Sequence, residues 1–287
     1  MSDRTLHPEV RRYTSKRELG NPVEMLQGMF ADLAASRELA WRLFLRDINA
    51  QYRQSYLGYV WAFLPPLVSS LTFVLLTSLG FFKTGETGIP YSAFAMIGTM
   101  LWQVFADSIA MPLASFNQAK SMLSKINFPR ESILLAGMMM VICNFFIRLG
   151  LLVLIMAYFR IVPTTTILLF PVTILALLTA GMALGLALVP LGSLFGDVNR
   201  ALPMITSFWM LLTPVVYPPK TTGLAGILSS WNPASPLITS ARETLTGLPV
   251  THLGTMFLIF GASLIVLFVS WVGFRVAMPH LIARMGS

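Results

Sequence analysis

Charged residues, cysteine and histidine are all scarce in this 287-residue chain, and each scarcity argues against a structural feature that depends on them. Only 11% of the residues are charged, against roughly 25% in an average soluble domain, so a soluble fold of this size could not cover its surface. The single cysteine, Cys143, excludes an intrachain disulfide, and three scattered histidines indicate no metal site. The chain also lacks a G-x-x-x-x-G-K-[ST] phosphate loop, paired carboxylates and a Ser/His/Asp set. We therefore expect no catalytic residues and no cofactor in this chain.

Long apolar runs are what the chain has instead, since 55% of its residues are hydrophobic. About 20 apolar residues cross the hydrocarbon core of a bilayer, and over such lengths only helices satisfy their own backbone groups. The sequence therefore predicts an all-α polytopic membrane protein with six transmembrane helices. The predicted spans are 58–82, 91–116, 133–159, 164–195, 201–217 and 253–276.

The positive charges are distributed unevenly between the two sides of these spans. Fifteen of the 20 Lys and Arg residues fall on one side and four on the other, which predicts that both termini are cytoplasmic. This distribution favours a multi-pass membrane protein over a nucleic-acid binder, despite the net charge of +8. We divide the chain into a cytoplasmic N-terminal segment (1–35), an amphipathic interface helix (36–57), a six-span domain (58–278) and a cytoplasmic tail (279–287).

The segment before the first span has the periodicity of an amphipathic helix that lies along the inner membrane interface. Packing on a soluble domain is the alternative. Its predicted apolar face consists of Trp41, Phe44, Leu45, Ile48, Tyr52 and Tyr56, and its basic flank of Arg42, Arg46 and Arg53. Aromatic faces pack against sugar rings without buried charge, so the residues near the inner mouth are candidates for glycan contact, with interface anchoring as the alternative. These candidates are Tyr52, Tyr56, Tyr59 and Trp61.

Two connections carry apolar residues where a loop would be polar. The link between spans two and three predicts a short cytoplasmic helix that ends at Phe128-Pro129 and contacts a partner protein, with a solvated loop as the alternative. Its candidate contact residues are Lys120, Met122, Leu123, Lys125 and Ile126.

Between spans five and six, residues 224–231 and 236–245 are each too short to cross the membrane, with a helix start at Ser235-Pro236 and a stop at Gly247. They predict short re-entrant external helices whose backbone is shielded by protein.

Two charges and two glycines lie inside the predicted spans. Asp107 is about 24 Å from the outer end of span two, and Arg148 is about as far from the inner end of span three. In a core about 30 Å thick we expect them near opposite interfaces, which argues against an ion relay. Gly181 and Gly185, four residues apart, predict close helix packing.

Five motifs in order resemble the permease subunits of ABC-2 type polysaccharide and polyol-phosphate exporters. The first is Arg46-Asp47-Ile48, followed by the run YRQSYLGYVW at 52–61 and Pro65-Pro66. The others are the Asn-Phe-Pro-Arg element at 127–130, the turn at 196–200, the TPVVYP sequence at 213–218, and Trp231-Asn232-Pro233 with Arg242 and Gly247. The turn lacks the arginine that the family has before Asp197, so no role is carried over to it.

The resemblance implies a homodimer that associates with two copies of a separate ATPase subunit, which binds ATP and Mg. It also implies export of a lipid-linked glycan, such as O-antigen or capsule, across the bacterial inner membrane. The expected partners include membrane lipids and no nucleic acid. On this interpretation residues 117–128 form the helix that couples to the ATPase. Arg42, Arg46 and Arg53 hold the lipid pyrophosphate headgroup or only attract anionic lipids. The external gate consists of Pro214, Tyr217, Trp231, Asn232 and Pro233.

Three alternatives differ in what they require. An ABC-2 exporter of a drug or other lipid-like substrate shares the six spans but not the long basic helix before span one. A channel or secondary carrier needs relay charges or inverted repeats. A passive scaffold does not require re-entrant external elements.

Overall fold

The computed structural model describes residues 22–53, 87–123, 128–219 and 223–285, with isolated positions between 64 and 80. Across these residues the secondary structure is helical, with no strand, as the sequence predicts. The described α-helices are α1 (Pro22–Ala35), α2 (Arg37–Arg53), α3 (Tyr91–Leu123), α4 (Glu131–Tyr158), α5 (Phe170–Leu194), α6 (Gly196–Leu212), α7 (Gly223–Trp231), α8 (Ala234–Thr246) and α9 (Leu253–Met285). A 3₁₀ helix, Thr165–Leu169, leads directly into α5.

Four stretches within the described residues are long and apolar enough to cross a membrane, and they confirm four of the predicted spans. They are Tyr91–Lys120, Glu131–Tyr158, Thr165–Leu194 and Leu253–Met278. Helix α6 has 17 residues and ends at Leu212, five residues short of the predicted end of span five. It stops there because Pro214 has no backbone N–H with which to continue the helix. The predicted first span, 58–82, lies mostly outside the described residues.

Helix α3 continues well past the predicted end of span two. It runs unbroken to Leu123, so the prediction of a separate short helix in the following link is wrong up to that residue. The residues after Phe116 (Asn-Gln-Ala-Lys-Ser-Met-Leu) include no glycine, proline or β-branched residue, so nothing in them ends a helix. Residues 124–127 are outside the described part of the chain.

The bundle is built around α5, which packs between α3 and α9. A Cβ atom at Gly181 would meet the carbonyl oxygen of Phe105, and one at Gly185 would collide with that of Ile109. The two glycines therefore let the backbones of α3 and α5 approach directly, which confirms the predicted close packing.

The two ends of the bundle are defined by their contacts. At the basal end, α1 and α2 pack near the last turns of α3 and α9, where the rings of Phe116 and Phe274 meet edge to face at 6.4 Å. At the distal end, α8 packs against the first turns of α3 and the start of α5, and every one of its 13 residues is buried. Helix α8 ends at Gly247, whose φ of 75° is left-handed and whose missing Cβ leaves room for Thr164. The predicted helix stop at Gly247 is confirmed.

Candidate functional site

The basic helix α2 packs one side onto the bundle and leaves another exposed. Ala40, Leu43 and Phe44 are buried against the basal ends of α3 and α4, whereas the side chains of Trp41 and Leu45 are 52% and 39% exposed. The predicted apolar face is therefore divided, because Phe44 faces the core and Trp41 and Leu45 lie on its outer flank. This geometry leaves an exposed apolar edge on a helix whose other edge is fixed to protein.

Two of the three candidate headgroup arginines, both on α2, already contact acidic neighbours. Arg42 Nη2 lies 2.6 Å from a carboxylate oxygen of Glu38, and Arg46 Nε donates to Asp47 at 2.7 Å. Because the Arg42 pair is largely exposed, it contributes little to stability. A phosphate could therefore displace the carboxylate at small cost. Arg46 Nη1 also donates to the sulfur of Met122 at 2.9 Å, which joins a candidate headgroup residue to a candidate coupling residue.

The remaining basal candidates are only partly within the described structure. Lys120 is exposed one turn before the end of α3. For Arg53, Tyr52 and Leu123 only the helical backbone is described. The other predicted residues, Tyr56, Tyr59, Trp61, Lys125 and Ile126, lie outside the described residues.

A cavity of about 310 Å³ lies between α2, α3 and α4 at the basal end. Its polar lining comes from Asp47, Ser115 and Gln118. Met111 and Gly137 also line it, and a Cβ at Gly137 would press on the Ser115 side chain. The close approach of α3 and α4 at Gly137 therefore forms part of the cavity wall.

Below the apolar core, one arginine joins three helices through buried ion pairs. Arg275 on α9 lies 2.8 Å from Asp32 on α1 and 2.9 Å from Glu131, the first residue of α4. The three residues, here called the basal triad, are each less than 10% exposed. A buried charge is tolerated only when it is paired, so the triad fixes α1 and α9 to the helix that directly follows the link between α3 and α4.

The two charges in the middle of the bundle form a pair. Arg148 Nη2 lies 2.7 Å from Asp107 Oδ2, so the expectation that they approach opposite interfaces is wrong. Helices α3 and α4, with 33 and 28 residues, are about 50 and 42 Å long and exceed the hydrocarbon thickness. A depth counted from a helix end is therefore not a membrane depth, and both residues lie near mid-helix.

At the distal end, a buried arginine holds the turn that follows α6. Arg242 on α8 is 2% exposed and donates to the carbonyls of Pro214 at 3.0 Å and Val215 at 2.6 Å. Its guanidinium also lies 3.7 Å from the ring centre of Phe94 on α3, within cation–π range. Gly98 completes the contact, because a side chain there would collide with the Val215 carbonyl. Residues 213–217, here called the distal turn, are thereby held against α3.

The Arg242 guanidinium remains protonated although it is buried. Burial lowers the pKa of Arg242 to about 9, with the neighbouring Glu243 acting in the opposite direction. The guanidinium therefore stays charged at neutral pH. Glu243 is held in turn by the backbone N–H and the hydroxyl of Thr251, at 2.9 and 2.8 Å, just before α9 begins.

Asn232 fixes the same turn from the other side. Its side-chain oxygen accepts hydrogen bonds from the Trp209 indole at 2.9 Å and from the backbone N–H of Ala234 at 3.0 Å. Its amide donates to the Thr213 hydroxyl at 2.8 Å and, more weakly, to the Leu212 carbonyl at 3.4 Å. One side chain thus links the end of α6, the distal turn and the start of α8.

The five candidate gate residues occupy one region but differ in exposure. Pro214 and Asn232 are buried, whereas Trp231 is 85% exposed and Pro233 is exposed. Tyr217 is half-buried and its hydroxyl donates to the Leu211 carbonyl at 3.1 Å. The exposed Trp231 therefore lies at the distal surface next to two buried residues, Pro214 and Asn232.

One family match covers most of the bundle, from α2 to α8, but not α1 or α9. Residues 38–246 match the family described as ABC-2 type transporter, which is well over half of the chain. The chain belongs to the ABC-2 type transporter family. In this family the permease is a transmembrane subunit. The match extends from α2 through α8 and so includes the distal turn.

Named relatives agree with the family. The chain is 32% identical over 214 residues to the O-antigen export system permease protein RfbA of Myxococcus xanthus, covering 73% of this chain and 80% of the relative. Two Klebsiella pneumoniae proteins of the same name are 24% and 25% identical over 206 residues, covering 69% of this chain and 76% of each relative.

The basal triad is the arrangement that sequence reasoning missed. Arg275 lies inside the predicted sixth span, 253–276, so the sequence analysis is wrong to place only Asp107 and Arg148 within the spans. The available signal was an arginine within an apolar run. Its partners, separated from it by 144 and 243 positions, could not be chosen without the fold.

Proposed function

We propose that this chain is the membrane-spanning subunit of an ATP-driven exporter that carries a lipid-linked polysaccharide, of O-antigen or capsule type, across the bacterial inner membrane. The observation that carries the proposal is the 32% identity, over most of the chain, to an O-antigen export permease. Membership of the ABC-2 family supports the coarser part, a transport subunit that works with a separate ATPase.

The complete subunit has six spans, with α6 as the fifth, and both termini in the cytoplasm. Four apolar stretches and the excess of Lys and Arg on one side support this arrangement. The basal end is then cytoplasmic and the distal end faces outward. Two copies form the transport pathway, together with two ATPase subunits that bind ATP and Mg.

The ATPase docks at the basal tip of α3, on Lys120, Met122 and Leu123 and the following Lys125 and Ile126. The contact of Arg46 with Met122 supports a shared movement of this tip and α2. Because α4 begins at Glu131, the basal triad would pass the same movement on to α9.

The glycan-lipid headgroup binds along α2, where Arg42, Arg46 and Arg53 pair with pyrophosphate oxygens. Support comes from the exposure of Arg42 and from its weak, exposed partner Glu38. Guanidinium groups bind phosphate through two parallel hydrogen bonds, which favours arginine in this role. The aromatic residues Tyr52, Tyr56, Tyr59 and Trp61 would contact the sugars that follow.

The exit is controlled at the distal surface by Pro214, Tyr217, Trp231, Asn232 and Pro233. The anchoring of Asn232 beside an exposed Trp231 supports a fixed base with a protruding aromatic side chain.

Reconstitution tests the proposal directly. The chain should copurify with a partner ATPase subunit, and proteoliposomes that contain both should move a lipid-linked polysaccharide only with ATP. Movement of glycan by this chain alone, without ATP, would contradict the exporter function. Transport of a hydrophobic dye but no glycan would instead identify an exporter of lipid-like substrates.

A further inference from the structure

Polar side chains follow one another along the middle of α3 and α4. Gln103 precedes Asp107 by four residues, and Asn144 precedes Arg148 by four, so each pair shares one face of its helix. All four residues, here called the polar stripe, are half-buried, and the Asp107–Arg148 ion pair connects the two helices.

The stripe lies on the side of α3 that faces away from α5. Phe105 and Ile109 place their carbonyls against the glycines of α5, and Asp107 is two residues from each, about 200° around the helix. The stripe is thus not part of the α3–α5 contact.

Contact with lipid hydrocarbon is unfavourable for the polar stripe. The Asp107 side chain is 32% exposed, and charged or amide groups near mid-membrane face protein or a water-filled cavity rather than hydrocarbon. Arg148 Nε is a buried donor with no acceptor within the described residues. Such a group calls for a further polar partner.

The stripe continues towards the basal cavity. Met111, one turn after Asp107, lines that cavity, and Ser115 and Gln118 follow on the same helix. Polar side chains therefore occur at intervals from Asp47 on α2 to the middle of α3 and α4, with Met111 between Asp107 and Ser115.

We propose that the polar stripe is a binding surface for the hydroxyl groups of a glycan and lines the aqueous pathway along which it moves. This inference rests on the proposed function. A carboxylate, a guanidinium and two amides together supply the acceptors and donors that neighbouring sugar hydroxyls require. The ion pair keeps the surface neutral, which suits a long uncharged polymer better than an isolated charge.

Thiol accessibility tests whether water reaches the stripe. The native thiol, half-buried beside Asn144, is first removed by Cys143→Ala. Gln103→Cys and Asn144→Cys are then each introduced into the full chain, assembled with its ATPase in membrane vesicles. We expect a charged, membrane-impermeant thiosulfonate reagent to label both about tenfold faster than the control Val153→Cys, which is 57% exposed on α4. Labelling as slow as the control would overturn the proposal, because the stripe would then be sealed by protein or lipid.

Transport variants test whether the stripe contacts the glycan. Apolar replacement of a complete buried ion pair is often neutral for folding, so Asp107→Leu/Arg148→Met should assemble and hydrolyse ATP normally. We expect its ATP-dependent polysaccharide export to fall about tenfold relative to the wild-type complex. Unchanged export would show that the pair is only a packing element and would overturn the proposal. If the double variant does not assemble, Gln103→Leu/Asn144→Leu, which leaves the ion pair intact, decides by the same comparison.

The wild-type complex separates this inference from the proposed function. If the wild type exports polysaccharide and the stripe variants do so equally well, only the stripe proposal fails. If the wild type exports none, the proposed function fails.

Discussion

Arg242 and Arg275 are both buried, but the groups that accept their hydrogen bonds differ in kind. At the distal end, Arg242 donates to two backbone carbonyls of a single turn. At the basal end, Arg275 is held by carboxylates on α1 and α4. Backbone acceptors cannot be exchanged or neutralised, so the distal contact fixes one conformation of a turn. Side-chain acceptors on separate helices can be separated, so the basal contact can break and re-form when those helices move.

The largest effect is expected at the basal end. Arg275→Leu removes the arginine that Asp32 and Glu131 share in the basal triad and should lower the free energy of unfolding by about 4 kcal/mol. Thermal unfolding of the purified protein in detergent measures the loss. Adding Asp32→Asn and Glu131→Gln should restore most of it, since no unpaired charge remains. A triple variant as unstable as the single one would show that the triad is not an electrostatic unit.

Arg242→Met should lower the free energy of unfolding by about 3 kcal/mol, because two buried carbonyls lose a charged donor. No second substitution can rescue it, since the acceptors belong to the backbone. The same unfolding experiment with the exposed Arg200→Met serves as control and should differ from wild type by less than about 0.5 kcal/mol. Wild-type stability of Arg242→Met would remove the contrast between the two ends.

A smaller loss is expected for the second anchor of the distal turn. Asn232→Ala removes hydrogen bonds to Trp209 and Thr213 and should cost about 2 kcal/mol in the unfolding experiment. Its neighbour Trp231 is 85% exposed, so Trp231→Ala should leave stability unchanged and provides the matched control. Reduced export by Trp231→Ala at normal stability would support a direct role at the exit, whereas normal export would remove it from the gate.

The smallest effect on stability is expected on α2. Arg42→Ala breaks an exposed pair with Glu38 and should change the free energy of unfolding by less than about 0.5 kcal/mol. Binding of an undecaprenyl-pyrophosphate glycan to the purified complex should nevertheless weaken, with ATPase assembly intact. Glu38→Gln is the matched control, because it frees Arg42 and should not weaken binding. Equal binding by wild type and Arg42→Ala would reduce Arg42 to a topology signal.

Features set by local sequence were predicted well. Apolar length predicted the four confirmed spans, Gly247 predicted the end of α8, and Gly181 with Gly185 predicted close helix packing, without identifying the partner helix. Each of these depends on residues close together in the chain, so a single sequence contains the relevant information.

Features set by tertiary contact were not predicted. The partners of Arg275 and the pairing of Asp107 with Arg148 depend on which helices are neighbours and on how far each helix extends beyond the bilayer. The helical periodicity of α2 places Trp41 and Phe44 on one apolar face, but packing against α4 buries Phe44 and leaves Trp41 exposed. Amphipathic pattern gives the apolar sector of a helix, and its neighbours decide which part of that sector is covered.

The proline inside α3 divides this helix into two unequal arms. Pro112 has no N–H to donate to the preceding turn, so a bend is easiest there. The shorter arm, 113–123, is about 16 Å long, and a bend of about 10° would displace its tip by about 3 Å. The longer arm carries Phe94, which contacts Arg242, and Gly98, which lies against the Val215 carbonyl of the distal turn. A push on the basal tip could therefore be absorbed within the membrane before it reaches the exit, which would make opening at the two surfaces successive events.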